Sequence, residues 1–259
     1  MMNEINDNIN QILVSLDFDD SSSSFIESLV ALASQLQADL CGVFTEDSQL
    51  QQIANLPFSR EITFPLAHTR NLNSEQIARH LKQHEVTLRK LMEDFSQLSN
   101  VACSFRTTKG PRIESILRES TNFQLIVLLP EKYSSLKSRQ AVKLEDLINP
   151  TILLFDKSKQ AQKSTYIVKS LADNGELHQL KILTVDHDSE VTAKQLFTFD
   201  NVKIDYQHLE SFRVEDIISE INSQKNGLVI LPLEDELINQ DKGIRKILDV
   251  LDCPMLLVR

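Results

Sequence analysis

Short apolar runs alternate with stretches of helical period along the chain. Residues 11–16 (QILVSL) form a β-rich run. It stops at Asp17-Phe18-Asp19-Asp20, and four serines follow. Their side-chain oxygens suit the free N–H groups at the start of a helix. Phe25, Leu29, Leu32, Ala33 and Leu36 then recur at helical spacing, and residues 40–45 (LCGVFT) predict a second strand. Residues 48–72, with Pro57 and Pro65, read as an insertion or long loop. Asn73-Ser74 opens a long helix with the apolar face Ile77, Leu81, Leu88, Leu91, Met92, Phe95 and Leu98. Val101, Cys103 and Phe105 alternate as a half-buried strand does. Gly110-Pro111 starts a short helix with proline near its first turn, its core side marked by Ile113, Ile116 and Leu117. Residues 125–129 (LIVLL) predict a strand of a sheet covered on both faces. This alternation predicts a parallel α/β sheet.

The second half echoes the first. Arg112-Ile113-Glu114-Ser115-Ile116 returns 101 residues later as Arg213-Val214-Glu215-Asp216-Ile217. Residues 125–128 return as 228–231, and residues 144–154 as 248–258, with Pro254 in the place of Pro150. Three echoes in order read as a tandem duplication. Residues 151–155 (TILLF) match both the closing strand at 255–258 and the opening strand at 12–17. Asp156 falls where Asp17 does, which favours an opening strand and leaves the first half short of its last one. Residues 163–171 supply the following helix, and residues 180–185 the next strand. The division expected is residues 1–149 and 150–259.

Composition narrows the chemistry. The chain of 259 residues has a net charge of −10 and no basic stripe, so nucleic acid is not an expected partner. No apolar run approaches the ~18 residues of a membrane span, and the polar N-terminus is unlike a signal peptide. A cytoplasmic protein is expected. Cys41, Cys103 and Cys253 form no C-x-x-C and read as reduced, buried thiols. There are 5 glycines, where about 18 are usual for this length, and the closest pair is 16 residues apart. No G-x-G or P-loop spacing exists, which removes the commonest backbone cradles for phosphate.

Several pieces fall in a familiar order. They are the strand ending in Asp17, Val43-Phe44-Thr45-Glu46-Asp47, Lys109-Gly110-Pro111, and Cys253-Pro254-Met255-Leu256-Leu257-Val258. Together they resemble a tandem universal stress protein over nearly the whole chain. The resemblance implies two Rossmann-like domains of the adenine nucleotide alpha hydrolase-like type, with parallel sheets, paired as a pseudo-dimer. Asp17 and Asp156 match the aspartate at the adenine end of that family's pocket. Nucleotide-binding members resemble G-x-x-G followed by Gly-Ser or Gly-Thr after the fourth strand. Here that place holds Pro130-Glu131-Lys132-Tyr133-Ser134-Ser135-Leu136 and Pro232-Leu233-Glu234-Asp235-Glu236. Carboxylates there oppose a triphosphate at short range. Classical ATP binding is not expected, and no cofactor is.

The resemblance implies a non-catalytic, regulatory or ligand-sensing role in stress response, read out through an unidentified protein partner. Pairing of the two halves, with or without a homodimer, is the expected assembly. The candidate ligand contacts are Asp17, Asp19, Ser21, Val43 and Gly110, at the carboxyl ends of the first half's strands. A small metabolite or nucleotide in a non-standard pocket there is the alternative. A Mg²⁺-dependent phosphatase built on Asp17 and Asp19 is another, since Asp-x-Asp after a strand suits phosphoryl transfer. Its plainer reading is a helix cap. His80 and His84 have zinc-compatible spacing without a third ligand, so no metal is expected. Lys132, Lys137, Arg139 and Lys143 form a basic stretch that could hold a phosphate-bearing ligand or serve as a polar connection.

Overall fold

Strands that are apolar at successive positions can be buried only when helices cover both faces of their sheet. The computed structural model, which describes residues 9–16, 23–46, 52–53, 56, 60–63, 68–71, 74–130, 143–222, 226–233 and 243–259, places them there. The strands of the main sheet are β1 (Gln11–Leu16), β2 (Asp39–Glu46), β5 (Cys103–Lys109), β6 (Leu125–Leu128), β7 (Thr151–Leu154), β8 (Gln179–Thr184), β9 (Lys203–His208), β10 (Leu228–Pro232) and β11 (Met255–Val258). One face carries α1 (Ser23–Gln35), α2 (Ser74–Leu98), α4 (Leu144–Ile148), α5 (Lys159–Asp173) and α6 (His187–Leu196). The other carries α3 (Arg112–Glu119), α7 (Val214–Ile221) and α8 (Gly243–Val250).

The nine strands run β5-β2-β1-β6-β11-β10-β7-β8-β9. The first four thus lie in the order third, second, first, fourth. The last five repeat that order and add a fifth. Thr151–Leu154 pairs with β8 and β10, as an opening strand does. All neighbours are parallel except β6 and β11. This seam departs from a wholly parallel reading. Leu125, Ile126, Val127 and Leu128 stand opposite Val258, Leu257, Leu256 and Met255, and all eight are buried. The Arg259 N–H extends the ladder to the Gln124 carbonyl at 2.9 Å. Above the seam, Ser170 of α5 donates to the Gln35 carbonyl at the end of α1 (3.2 Å).

Two further expectations need correction. The stretch expected to be irregular contains an antiparallel hairpin, β3 (Arg60–Thr63) and β4 (His68–Asn71). Four residues per strand, with Pro57 and Pro65 close by, are too few to establish a period of two. Cys103 is half-buried, unlike Cys41 and Cys253, because it lies on the edge strand β5. Burial still pushes its thiol pKa up. Among the described residues no helix is long and apolar enough to cross a membrane.

The start of β10 depends on Gly227. Its φ is +91, and a Cβ there would land on the Pro150 carbonyl oxygen, which accepts the Leu228 N–H at 3.1 Å. An added side chain therefore meets both left-handed backbone and a filled space. Gly227→Ala should lower the urea midpoint by the equivalent of about 1–3 kcal/mol with little change in slope, measured by circular dichroism.

Candidate functional site

In parallel α/β sheets, ligands bind outside the carboxyl ends of the strands. The first half builds a polar corner there. Ser15, one residue before the end of β1, is fully buried, on the face that α3 covers. Thr45, one residue before the end of β2, is buried, and among the described residues its hydroxyl has no hydrogen-bond partner. By strand alternation it shares that face with Val43 and Cys41. At the end of β5, Lys109 pairs with Glu46 at 3.3 Å.

Gly110 turns the chain out of this ladder. Its N–H donates to the Glu46 carbonyl at 3.3 Å, and its φ of +126 is a conformation that side chains disfavour. Pro111 follows in extended conformation, and α3 begins. The tight exit sends the first side chain of α3 back over the sheet. Arg112 Nε donates to Ser15 Oγ at 3.0 Å. A guanidinium is thereby held beside β1, and its planar fork suits carboxylate or phosphate oxygens.

Of the expected contacts, Val43 and Gly110 are brought to this corner. Val43 is buried at 1% exposure, so its side chain serves the core beneath α3. Asp17, Asp19 and Ser21 lie outside the described residues, as do Lys132, Lys137 and Arg139. Lys143 is exposed ahead of α4. The capping device expected at Asp17 is visible at the corresponding place after β7. There Asp156 accepts the Ser158 N–H at 2.9 Å, and Ser158 caps α5 through the Ala161 N–H at 3.1 Å. His80 is exposed, while the His84 ring lies 6.2 Å from that of Phe44. Among the described residues no group of three or more His, Cys, Asp or Glu could hold a metal ion. Arg112 is the residue that sequence reasoning missed. Its signal in the sequence is the Arg-x-Glu echo with Arg213, which a duplication alone accounts for.

On the opposite face of β5, α2 is fastened by a buried charge. The Glu85 carboxylate accepts from Lys82 (2.5 Å), Arg89 (3.0 Å) and Thr107 (3.1 Å), and Arg89 also lies over the Phe105 ring at 4.6 Å. Burial pushes the Glu85 pKa up, but the hydrogen bonds from Lys82, Arg89 and Thr107 outweigh it and hold it below the ordinary value. A lowered folded value stabilises the protein above the ordinary carboxylate range. That contribution disappears as the pH falls through the folded value. Glu85→Gln should therefore cost about 1–3 kcal/mol at neutral pH, with the deficit shrinking below about pH 4, read from urea melts across pH.

No family model matches this chain, and no curated protein does. Among solved structures it is similar to lysine monooxygenase NbtG from Nocardia farcinica, described for an unprecedented NADPH domain conformation. The identity is 7%, with 79% of this chain and 72% of that one covered, at a TM-score of 0.17. A likeness at that level carries no functional argument.

Proposed function

We propose that this chain is a non-catalytic, ligand-sensing regulatory protein of the cytoplasmic stress response, made of two universal-stress-type units paired within one polypeptide. The repeated strand order, third-second-first-fourth on each side of an antiparallel seam, supports the paired reading. The observation that carries the ligand reading is the Arg112–Ser15 contact at 3.0 Å. It sets a side-chain cation at the carboxyl ends of the strands, where a glycine loop would otherwise receive an anion. A ligand at that corner would engage Arg112 and the hydroxyls of Ser15 and Thr45. Its binding would shift the population of a partner-binding surface.

The two readings with ATP or a phosphatase mechanism make opposite predictions. ATP with Mg²⁺ at millimolar concentration should leave the thermal midpoint unchanged, and a generic phosphate ester should not be turned over. Native mass spectrometry of the purified protein should find a small anionic ligand. Arg112→Met should reduce its occupancy at least about tenfold. A clear ATP-dependent rise in the midpoint, or turnover abolished by Asp17→Asn, would overturn this function.

A further inference from the structure

The two α-helical pairs on the first face of the sheet are built to different lengths. In the first half, α2 has 25 residues and packs along α1. In the second half its counterpart α6 has 10 residues and closes far less tightly on α5. A groove of about 500 Å³ opens between α5 and α6, above the exit of β7. That volume is within the range of small-molecule sites.

The groove is polar at both ends but not equally satisfied. Phe155 and Leu196 supply apolar lining. At the end near β7, Gln162 donates to the Lys157 carbonyl (3.2 Å) and Thr192 to the Asp188 carbonyl (2.7 Å). Lys157 itself pairs with Asp186 at 3.6 Å and with Asp188 at 3.9 Å. These groups have their partners. One to two turns further along α5, about 5–10 Å on, the situation reverses. Thr165 lines the groove at 8% exposure, and among the described residues its hydroxyl has no hydrogen-bond partner. Among the described residues, neither the Tyr166 hydroxyl nor the Lys169 ammonium has a hydrogen-bond or ion-pair partner. A buried hydroxyl left unpaired is costly in a folded protein unless something else satisfies it. Two hydroxyls and an ammonium group therefore belong to the lining of one groove, with no acceptor for them among the described residues.

We infer that the α5–α6 groove binds a small organic monoanion. Its carboxylate accepts from Lys169, Tyr166 and Thr165, and its apolar body lies against Phe155 and Leu196. At the other end of the groove Lys157 is already paired with Asp186 and Asp188, so that cation is not open to a second anionic group. This site is separate from the Arg112 corner and does not depend on the function proposed for it.

The test is titration of the full chain with 1-naphthoate, and with the neutral 1-naphthalenemethanol, by isothermal calorimetry. Naphthoate should bind at least about tenfold more tightly than the alcohol, because its charge is answered by hydrogen-bond donors. Lys169→Met should remove that preference, whereas Lys246→Met on α8 should leave it intact. Thr165→Val separates binding from folding. Losing an unpaired buried hydroxyl should raise the thermal midpoint of the free protein, yet weaken naphthoate several-fold. No heat from naphthoate at ~5 mM would overturn the proposal. So would equal binding of the alcohol, or binding that survives Lys169→Met and Thr165→Val. Binding lost instead in Arg112→Met would assign the anion to the other corner and equally overturn the groove.

Discussion

The antiparallel pairing of β6 with β11 is the constraint on which the rest of this structure depends. Both strands are apolar at every position, so neither can serve as a solvated edge. Unpaired, each would present a row of open backbone N–H and C=O groups flanked by apolar side chains, a template for pairing with another chain. Their pairing turns two parallel sheets into one, with edges only at β5 and β9. Both edge strands are interrupted by polar and charged residues, such as Arg106 on β5 and Asp205 on β9. The apolar middle and the polar rims are therefore two sides of the same arrangement.

Fusing four strands to five leaves the molecule asymmetric, and the asymmetry reaches the binding surfaces. In the first half, Ser15 on β1 gives Arg112 an oxygen to bond. In the second half, β7 offers Leu154 and Phe155 near the corresponding place, and Arg213 is exposed ahead of α7. Among the described residues, the Arg–Ser contact thus forms on one side only. The long α2, fastened by Glu85, covers the sheet in the first half. The short α6 leaves an opening in the second. The two halves share a strand order and differ in where they leave room.

Much of the fold was legible because its signals are local. The all-apolar residues 125–128, the helical period from Ile77 to Leu98, and the Gly110-Pro111 boundary each need only a short window. The opening position of Thr151–Leu154 was also legible, through Asp156. What could not be read is nonlocal. Nothing in residues 255–258 says that their other neighbour is residues 125–128, or that the two run in opposite directions. Arg112 meets Ser15 across 97 positions, and Glu85 meets Thr107 across 22. Such contacts depend on how elements stack, which periodicity does not report. The groove was illegible for a related reason, since it exists through the shortness of α6 relative to the space above β7 and β8.

The seam also sets a timetable. Leu125 and Val258 are partners in it, so more than half of the chain is synthesised between them. At ~5–20 residues per second that interval is on the order of ten seconds. Over most of it, the β6 edge has emerged from the ribosome while its permanent neighbour does not yet exist. An apolar strand edge waiting that long is a natural substrate for a holdase chaperone, and a natural point of mispairing between nascent chains on one messenger.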